Sequence, residues 1–333
     1  MGFLKHKNSL QTKKGIFNVL IIGAGNIGAF YDTPDSKSIL THAHAIKEHP
    51  GFKLVGFVDN DSERATVAAT IWETLSFQSI NEAFSKTDVD VVCVAVPDEF
   101  HYTVLKELVI RPVKIVLAEK PITKTLVEAD EIIALYKQLN VSLLVNYSRR
   151  FVPEFQDLKK LIDEQSFGKY VFGVGYYGKG LLHNGSHMIN LLEYLIGDVK
   201  DVEVKEKVFD FYNDDPSVSA RLTLENARPF NLQCIDQSMY TIFEMDLFFE
   251  NIRVSIIDSG YKILFSKVSE SIIFKGYKTL SEVKELETSL GRALTYTYEN
   301  IFSNLTKGEA LISSHSAARK SMATCLKISS SPL

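Results

Sequence analysis

Two stretches of the chain carry residues whose types and spacing suit proton transfer. The first is Glu119-Lys120-Pro121, at the end of the apolar run Val113 to Ala118. A run without polar alternation reads as a strand buried on both faces. Open parallel sheets collect ligands at the carboxyl ends of their strands, so Lys120 is expected at the rim of a crevice. Desolvation lowers a lysine's pKa and the adjacent Glu119 raises it, which leaves the net shift open; a solvated surface lysine is the competing reading. The second stretch is His183-Asn184-Gly185-Ser186-His187. His187 falls in the first turn of the helix that runs on through Leu191 to Ile196. The positive helix end disfavours its charged form, and a neutral imidazole in a cleft is a workable general base. A packed histidine is the alternative. Two histidines four apart also suggest metal ligation, but no third ligand is near, and no metal is expected.

Such groups need a partner molecule and elements to aim them. Phe17 to Ile22 is an apolar run leading straight into Gly23-Ala24-Gly25-Asn26-Ile27-Gly28. In that context Gly23 allows a tight turn, Gly25 lets backbone N–H groups approach a pyrophosphate, and Gly28 lets helix and strand pack closely. The helix amino terminus then adds positive potential. Asp59 ends the next strand, Phe52 to Val58, where a carboxylate accepts hydrogen bonds from ribose hydroxyls. It stands 31 residues beyond Gly28, more than the usual separation, and an insertion over 30–40 accounts for most of the excess. That insertion, broken by Pro34, is either a lid over the crevice or merely a loop. Asn60 and Asp61 make the site acidic and favour NAD over NADP, with Arg64 the one nearby residue against this. Pro97 closes a further strand, Asp90 to Val96, and His101 follows in the first turn of a helix, either as a packing residue or as a cofactor contact.

The 333 residues predict two domains. A net charge of -4, spread over both halves, gives no support for nucleic acid or an anionic membrane as partner. The cluster Lys5, His6, Lys7, Lys13 and Lys14 reads as a solvated tail. No apolar run approaches the ~18 residues of a membrane helix, and the start has no signal-peptide core. Cys93, Cys234 and Cys325 lack disulfide or metal spacing, which fits a reducing cytoplasm. Strand and helix alternate from the first glycine to Val145, the signature of a doubly wound parallel sheet. Thr123 is expected to cap the helix through Val127 and Leu135.

Gly23-x-Gly25-x-x-Gly28, Val96-Pro97 with His101, and Glu119-Lys120-Pro121, in this order, resemble the Gfo/Idh/MocA oxidoreductases, which include glucose-fructose oxidoreductase and inositol 2-dehydrogenase. The resemblance covers nearly the whole chain. It implies an α/β Rossmann domain over 15–147, an α+β domain with a large, mainly antiparallel sheet over 148–310, and a closing helix, 311–333, that returns to the first domain. It also implies that Lys120 contacts both the nicotinamide ribose and the substrate hydroxyl, before a cis proline bond. The crossover Asn146 to Phe151 would line the substrate site, with Tyr147, Arg149, Arg150, Asn184 and His187 as candidates. Adjacent arginines of an extended chain point apart, so one is expected to reach an anionic substrate or a cofactor-side carboxylate and the other to form a structural ion pair, with nothing to say which is which. The family pattern Asp-x-Gly-x-His is met at Gly185 and His187, but His183 stands in place of the acid and Asn190 in place of a later one. The proton route is then Lys120 with His187, and His183 takes the acid's place.

The implied activity is an NAD(P)-dependent oxidoreductase acting on a secondary hydroxyl or ketone of a sugar or nucleotide-sugar. The alternatives are non-redox sugar processing that uses the cofactor transiently, and a non-catalytic sensor. After Val199 short strands are expected over 202–211, 218–225, 230–238, 242–249 and 252–257, with two more at 261–265 and 272–275. Phe211, Tyr240, Met245 and Phe248 mark a face that must be covered. The family covers it by pairing subunits, which implies a homodimer or homotetramer; core packing within one chain is the competing explanation.

Overall fold

The structure, a computed structural model, describes residues 15–332; the basic cluster from Lys5 to Lys14 lies outside them. In the first half the apolar runs become six parallel strands: β1 (Phe17–Ile22), β2 (Phe52–Val58), β3 (Ser76–Phe77), β4 (Val91–Val94), β5 (Ile115–Ala118) and β6 (Ser142–Val145). Their order is β3-β2-β1-β4-β5-β6, so the winding reverses between β1 and β4. Every residue of β4 and β5 is buried, because helices cover both faces, and this explains the missing alternation. Truncating a core residue such as Leu20 to alanine would cost ~2–5 kcal/mol.

The covering helices are α1 (His42–Glu48), α2 (Ser62–Ile71), α3 (Ile80–Lys86), α4 (Asp98–Leu108) and α5 (Leu126–Gln138). Side chains of Thr41, Asp61 and Ser79 accept the free amides that open α1, α2 and α3. Thr125, not Thr123, caps α5, in a reciprocal box with Glu128. The Thr123 hydroxyl instead donates to the Thr125 carbonyl at 2.9 Å.

After the glycine loop the chain makes one wide turn, Asn26–Phe30, and then leaves the helix. Buried Asp32 closes the insertion that follows. It accepts from the Leu40 and Thr41 amides (2.6 and 3.3 Å), the Thr41 hydroxyl, and His44 Nδ1 at 2.8 Å. One carboxylate thus ties the two ends of the loop together.

The second half contributes α6 (Pro153–Asp163), β7 (Tyr170–Tyr177), α7 (Ser186–Leu195), β8 (Val199–Val208), β9 (Ser217–Leu224), β10 (Pro229–Cys234), β11 (Phe243–Phe249), β12 (Ile252–Ile257), β13 (Lys262–Glu270), β14 (Lys278–Glu287), α8 (Ala293–Lys307) and α9 (His315–Ser330). The eight strands order as β14-β13-β12-β11-β7-β10-β9-β8. Only β7 and β10 pair in parallel. The β8 strand starts and ends earlier than its apolar pattern implies, and 272–275 is the turn of the β13–β14 hairpin rather than a strand. Met245 points into the core with Phe243 and Leu247, whereas Phe248 stacks on Phe172 on the opposite face. The period of two separates those neighbours.

The chain returns to the first domain earlier than its last helix. Leu294, Tyr298 and Ile301 of α8 enter the core beneath α1. The α9 helix lies across both units: Ala318 and Met322 pack into the first core, Cys325 and Ile328 into the second. No helix among the described residues is long and apolar enough to cross a membrane.

Candidate active site

Three cavities meet where the sheet order reverses, at the carboxyl ends of β1, β4 and β5. The first, about 500 Å³, is floored by the glycine loop and walled by Asp59, Arg64 and Pro97. Each glycine has a separate reason. Gly23 is left-handed (φ +101°), and a Cβ there would meet the Ala95 carbonyl at 2.4 Å. A Cβ on Gly28 would strike the Gly23 carbonyl at 2.4 Å. Around Gly25 nothing lies within 4 Å, so the backbone is bare toward the cavity. That open cradle fits a dinucleotide's pyrophosphate. Ala24, Asn26 and Ile27 complete the loop, but the helix expected to face the phosphates is a single turn.

Asp59 is buried at the cavity wall. It accepts from the amides of Ala24 (2.8 Å) and Asp61 (2.9 Å), and Arg64 grips it through Nε (3.1 Å) and Nη2 (2.6 Å). Burial pushes its carboxyl up, but Arg64 and the two amides hold it below the usual carboxylate range. The acidic field read from Asp59-Asn60-Asp61 is therefore matched by the Arg64 guanidinium.

The second cavity, about 620 Å³, shares Val96 with the first. Lys120, Glu119, Asn146, Arg149, Asn184 and His187 line it, and Tyr31, Ile39 and Leu40 from the insertion close one side. Glu119 Oε1 accepts from His42 Nε2 (2.9 Å) and Asn146 Nδ2 (2.7 Å), and His42 Nδ1 meets the Tyr298 hydroxyl at 3.1 Å. Burial alone would lower the His42 pKa, but Cys93 and the Glu119 carboxylate outweigh it and push it up to about 10. Glu119 is held below its ordinary value, against burial, by His42, Asn146 and Lys120. Lys120 Nζ donates to the His183 carbonyl at 2.9 Å. His187 makes no side-chain hydrogen bond among the described residues and stands edge-on to Tyr147, with ring centres 5.7 Å apart. Burial, Lys120 and Arg149 pull its pKa well below the ordinary histidine value, so it is neutral.

Comparison with known proteins agrees with this geometry. Residues 17–147 match the model of an oxidoreductase family with an NAD-binding Rossmann fold, Gfo/Idh/MocA. Over those residues the chain is similar to the NAD-binding domain of that family. Inositol 2-dehydrogenase of Corynebacterium glutamicum (strain R) is 29% identical over 200 residues, 56% of each chain. The matched region therefore spans little more than half the length of that relative. Solved structures share the fold of the whole chain. The WlbA dehydrogenase from Bordetella pertussis, in complex with NADH and UDP-GlcNAcA, aligns with a TM-score of 0.77 at 16% identity over 95% of both chains. UDP-N-acetylglucosamine 3-dehydrogenase GnnA from Acidithiobacillus ferrooxidans aligns with a TM-score of 0.72 at 19% identity, over 93% of this chain and 96% of that one.

Several expected site residues lie elsewhere. The Lys120–Pro121 peptide is cis. His101 is fully buried, and its ring nitrogens face the backbone carbonyls of Pro121 (2.6 Å) and Val96 (3.0 Å); it braces the Lys120 loop instead of contacting a cofactor. Arg150 turns inward to Asn190, with Nε 2.7 Å from Oδ1, and Asn190 bonds Ser321 of α9. Asn190 thus joins domains and does not face the cavity. Tyr147 is buried and lines a third cavity, about 360 Å³, with the His183 ring. Asn184 lines the second cavity while its amide donates to the Gly178 carbonyl at 2.8 Å.

His183 does not take the missing acid's place beside Lys120; only its carbonyl reaches Nζ. Its Nδ1 bonds buried Asp215 at 2.8 Å, and its ring stacks on Tyr212 at 3.8 Å. Asp215 also accepts the Leu182 and His183 amides. Neither Asp215 nor His42 is signalled by local sequence, since each reaches its partner only through the tertiary fold.

Proposed function

We propose that the protein is an NAD-dependent dehydrogenase that moves a hydride between nicotinamide and a secondary hydroxyl or ketone of a sugar or nucleotide-sugar. One observation carries this reading: Lys120 and neutral His187 line a single cavity, and that cavity adjoins the glycine-loop cavity at Val96. NAD, when bound, supplies the hydride acceptor. Lys120 Nζ spends one of its three donors on the His183 carbonyl and keeps two for the carbinol oxygen. During oxidation His187 takes the hydroxyl proton. Lys120 and Arg149 disfavour the resulting imidazolium, so the proton is passed on rather than held. For the reverse reaction the same imidazolium is a strong acid. Glu119, fixed between His42 and Asn146, holds its charge at the cavity wall beside Lys120.

The preference for NAD over NADP rests on Asp59, with Arg64 as the opposing residue. Phe274, Tyr277 and Val283, exposed on the β13–β14 hairpin, support a subunit contact through the second sheet. A panel of polyols, sugars and nucleotide-sugars assayed for NADH formation tests the activity. At least one secondary alcohol should reduce NAD. Sugar release without a change in NADH absorbance would favour the non-redox alternative, and neither response across the panel would contradict the proposal.

A further inference from the structure

Arg149 lines the same cavity as Lys120 and His187. Its guanidinium lies 4.0 Å from the centre of the Phe243 ring. The only hydrogen bond its side chain makes among the described residues runs from Nη2 to the Ser259 carbonyl, 2.8 Å. Nε is buried and has no partner. Buried guanidinium groups are ordinarily paired or hydrogen-bonded; Arg150 next door bonds Asn190 through both Nε (2.7 Å) and Nη2 (3.4 Å). The carboxylates of the cavity do not serve Arg149. Glu119 is committed to His42 and Asn146, and Asp98 lies 4.0 Å from His183 Nε2.

The turn that meets Arg149 is also unusual. Asp258, Ser259 and Gly260 are all left-handed, with φ of +50°, +56° and +95°. Two of the three are not glycine, and such backbone is costly for them. A Cβ on Gly260 would sit 3.2 Å from Arg149 Nε. Strain of this kind persists where surrounding structure over-determines it, and it clusters at ligand clamps. Here it brings one carbonyl to Nη2 and leaves the rest of the fork without a partner among the described residues.

We propose that the substrate carries an anionic group, a carboxylate or a phosphate, and that Arg149 is the residue that binds it. The planar fork of arginine matches both groups through paired charge-assisted bonds. This inference rests on the dehydrogenase reading and names the class of sugar for the same cavity. The test titrates the NADH complex of the full chain by calorimetry with glucose, glucuronate and glucose 1-phosphate, using wild type, Arg149→Lys and Arg149→Gln. At least one anion should bind wild type about ten-fold tighter than glucose, the scale of a charge-assisted pair. That preference should vanish in Arg149→Gln and survive in part in Arg149→Lys, which keeps the charge. Preference for glucuronate identifies a sugar acid; preference for glucose 1-phosphate identifies a phosphate-bearing sugar. Equal affinities in wild type, no binding of either anion, or a preference that survives Arg149→Gln overturns the inference. Oxidation of neutral sugars without anion preference would reject the anion and leave the dehydrogenase standing. Anion preference with no NADH formed from any sugar would do the reverse.

Discussion

The two walls of the Lys120 cavity differ in how their polar groups are satisfied. On the first-domain side, Glu119, His42, Asn146 and Tyr298 form a closed set in which each polar group has a partner inside the chain. On the second-domain side, among the described residues, the His187 side chain has no hydrogen bond and that of Arg149 has one. His183 shows that this is not a property of the second domain as such, since Asp215 and Tyr212 hold it fast one turn away. A saturated wall fixes geometry. An unsaturated wall keeps its donors and lone pairs for a molecule that arrives later.

Substitutions should therefore separate the walls, with stability effects on one side and turnover effects on the other. The largest expected change is His42→Ala, which leaves Glu119 buried without its cation and should cost ~3–5 kcal/mol of stability. Its pH dependence has a definite sign. A folded-state pKa raised to about 10 means that His42 stabilises fully below the unfolded value of ~6.5, and that this contribution is lost as pH rises toward 10. Chemical denaturation should show the wild-type advantage over His42→Ala shrinking across that window. A constant difference would break the ion-pair account.

His187→Gln should leave NADH affinity and melting temperature near wild type and lower turnover by ~10²-fold or more, the loss typical of a removed general base. Asp215→Asn should behave oppositely. It removes a buried acceptor of charge-assisted bonds, costing ~1.5–3 kcal/mol, while NADH formation falls less than ~10-fold, well short of general-base loss. A collapse of turnover as deep as that of His187→Gln would place His183 in the reaction. The smallest effect is on the pH profile. Because His187 is held neutral, the acid limb of kcat/KM for oxidation should lie below pH ~6.5. Arg149→Gln removes one of the cations that depress it, so the limb should move to higher pH.

The saturated and unsaturated walls were also unequally legible in the sequence. Local features read well. The glycine loop, the buried strands and the Glu119-Lys120-Pro121 turn are consecutive residues whose neighbours fix their meaning. His187 and Arg149 stand in a short turn and at a strand exit, so the sequence names both as candidates, but it does not separate Arg149 from Arg150. The closed set was not, because His42 meets Glu119 across 77 positions and Asp215 meets His183 across 32. No periodicity records such pairs. His101 reads two ways in the sequence for the same reason: its position after Pro97 suits a cofactor contact or a packing residue, and the Pro121 and Val96 carbonyls that claim its ring decide for packing. Likewise 272–275 has the composition of a strand, yet the turn between β13 and β14 falls there.

Lys120 stands between the two walls, bonded to the second domain through a single carbonyl. The most direct measurement is Lys120→Ala assayed for NADH binding by fluorescence titration and for turnover on the substrate that the panel identifies. The predicted result is cofactor affinity within a few-fold of wild type and turnover reduced by at least ~10²-fold. Turnover within a few-fold of wild type in a variant that still binds NADH would contradict the account.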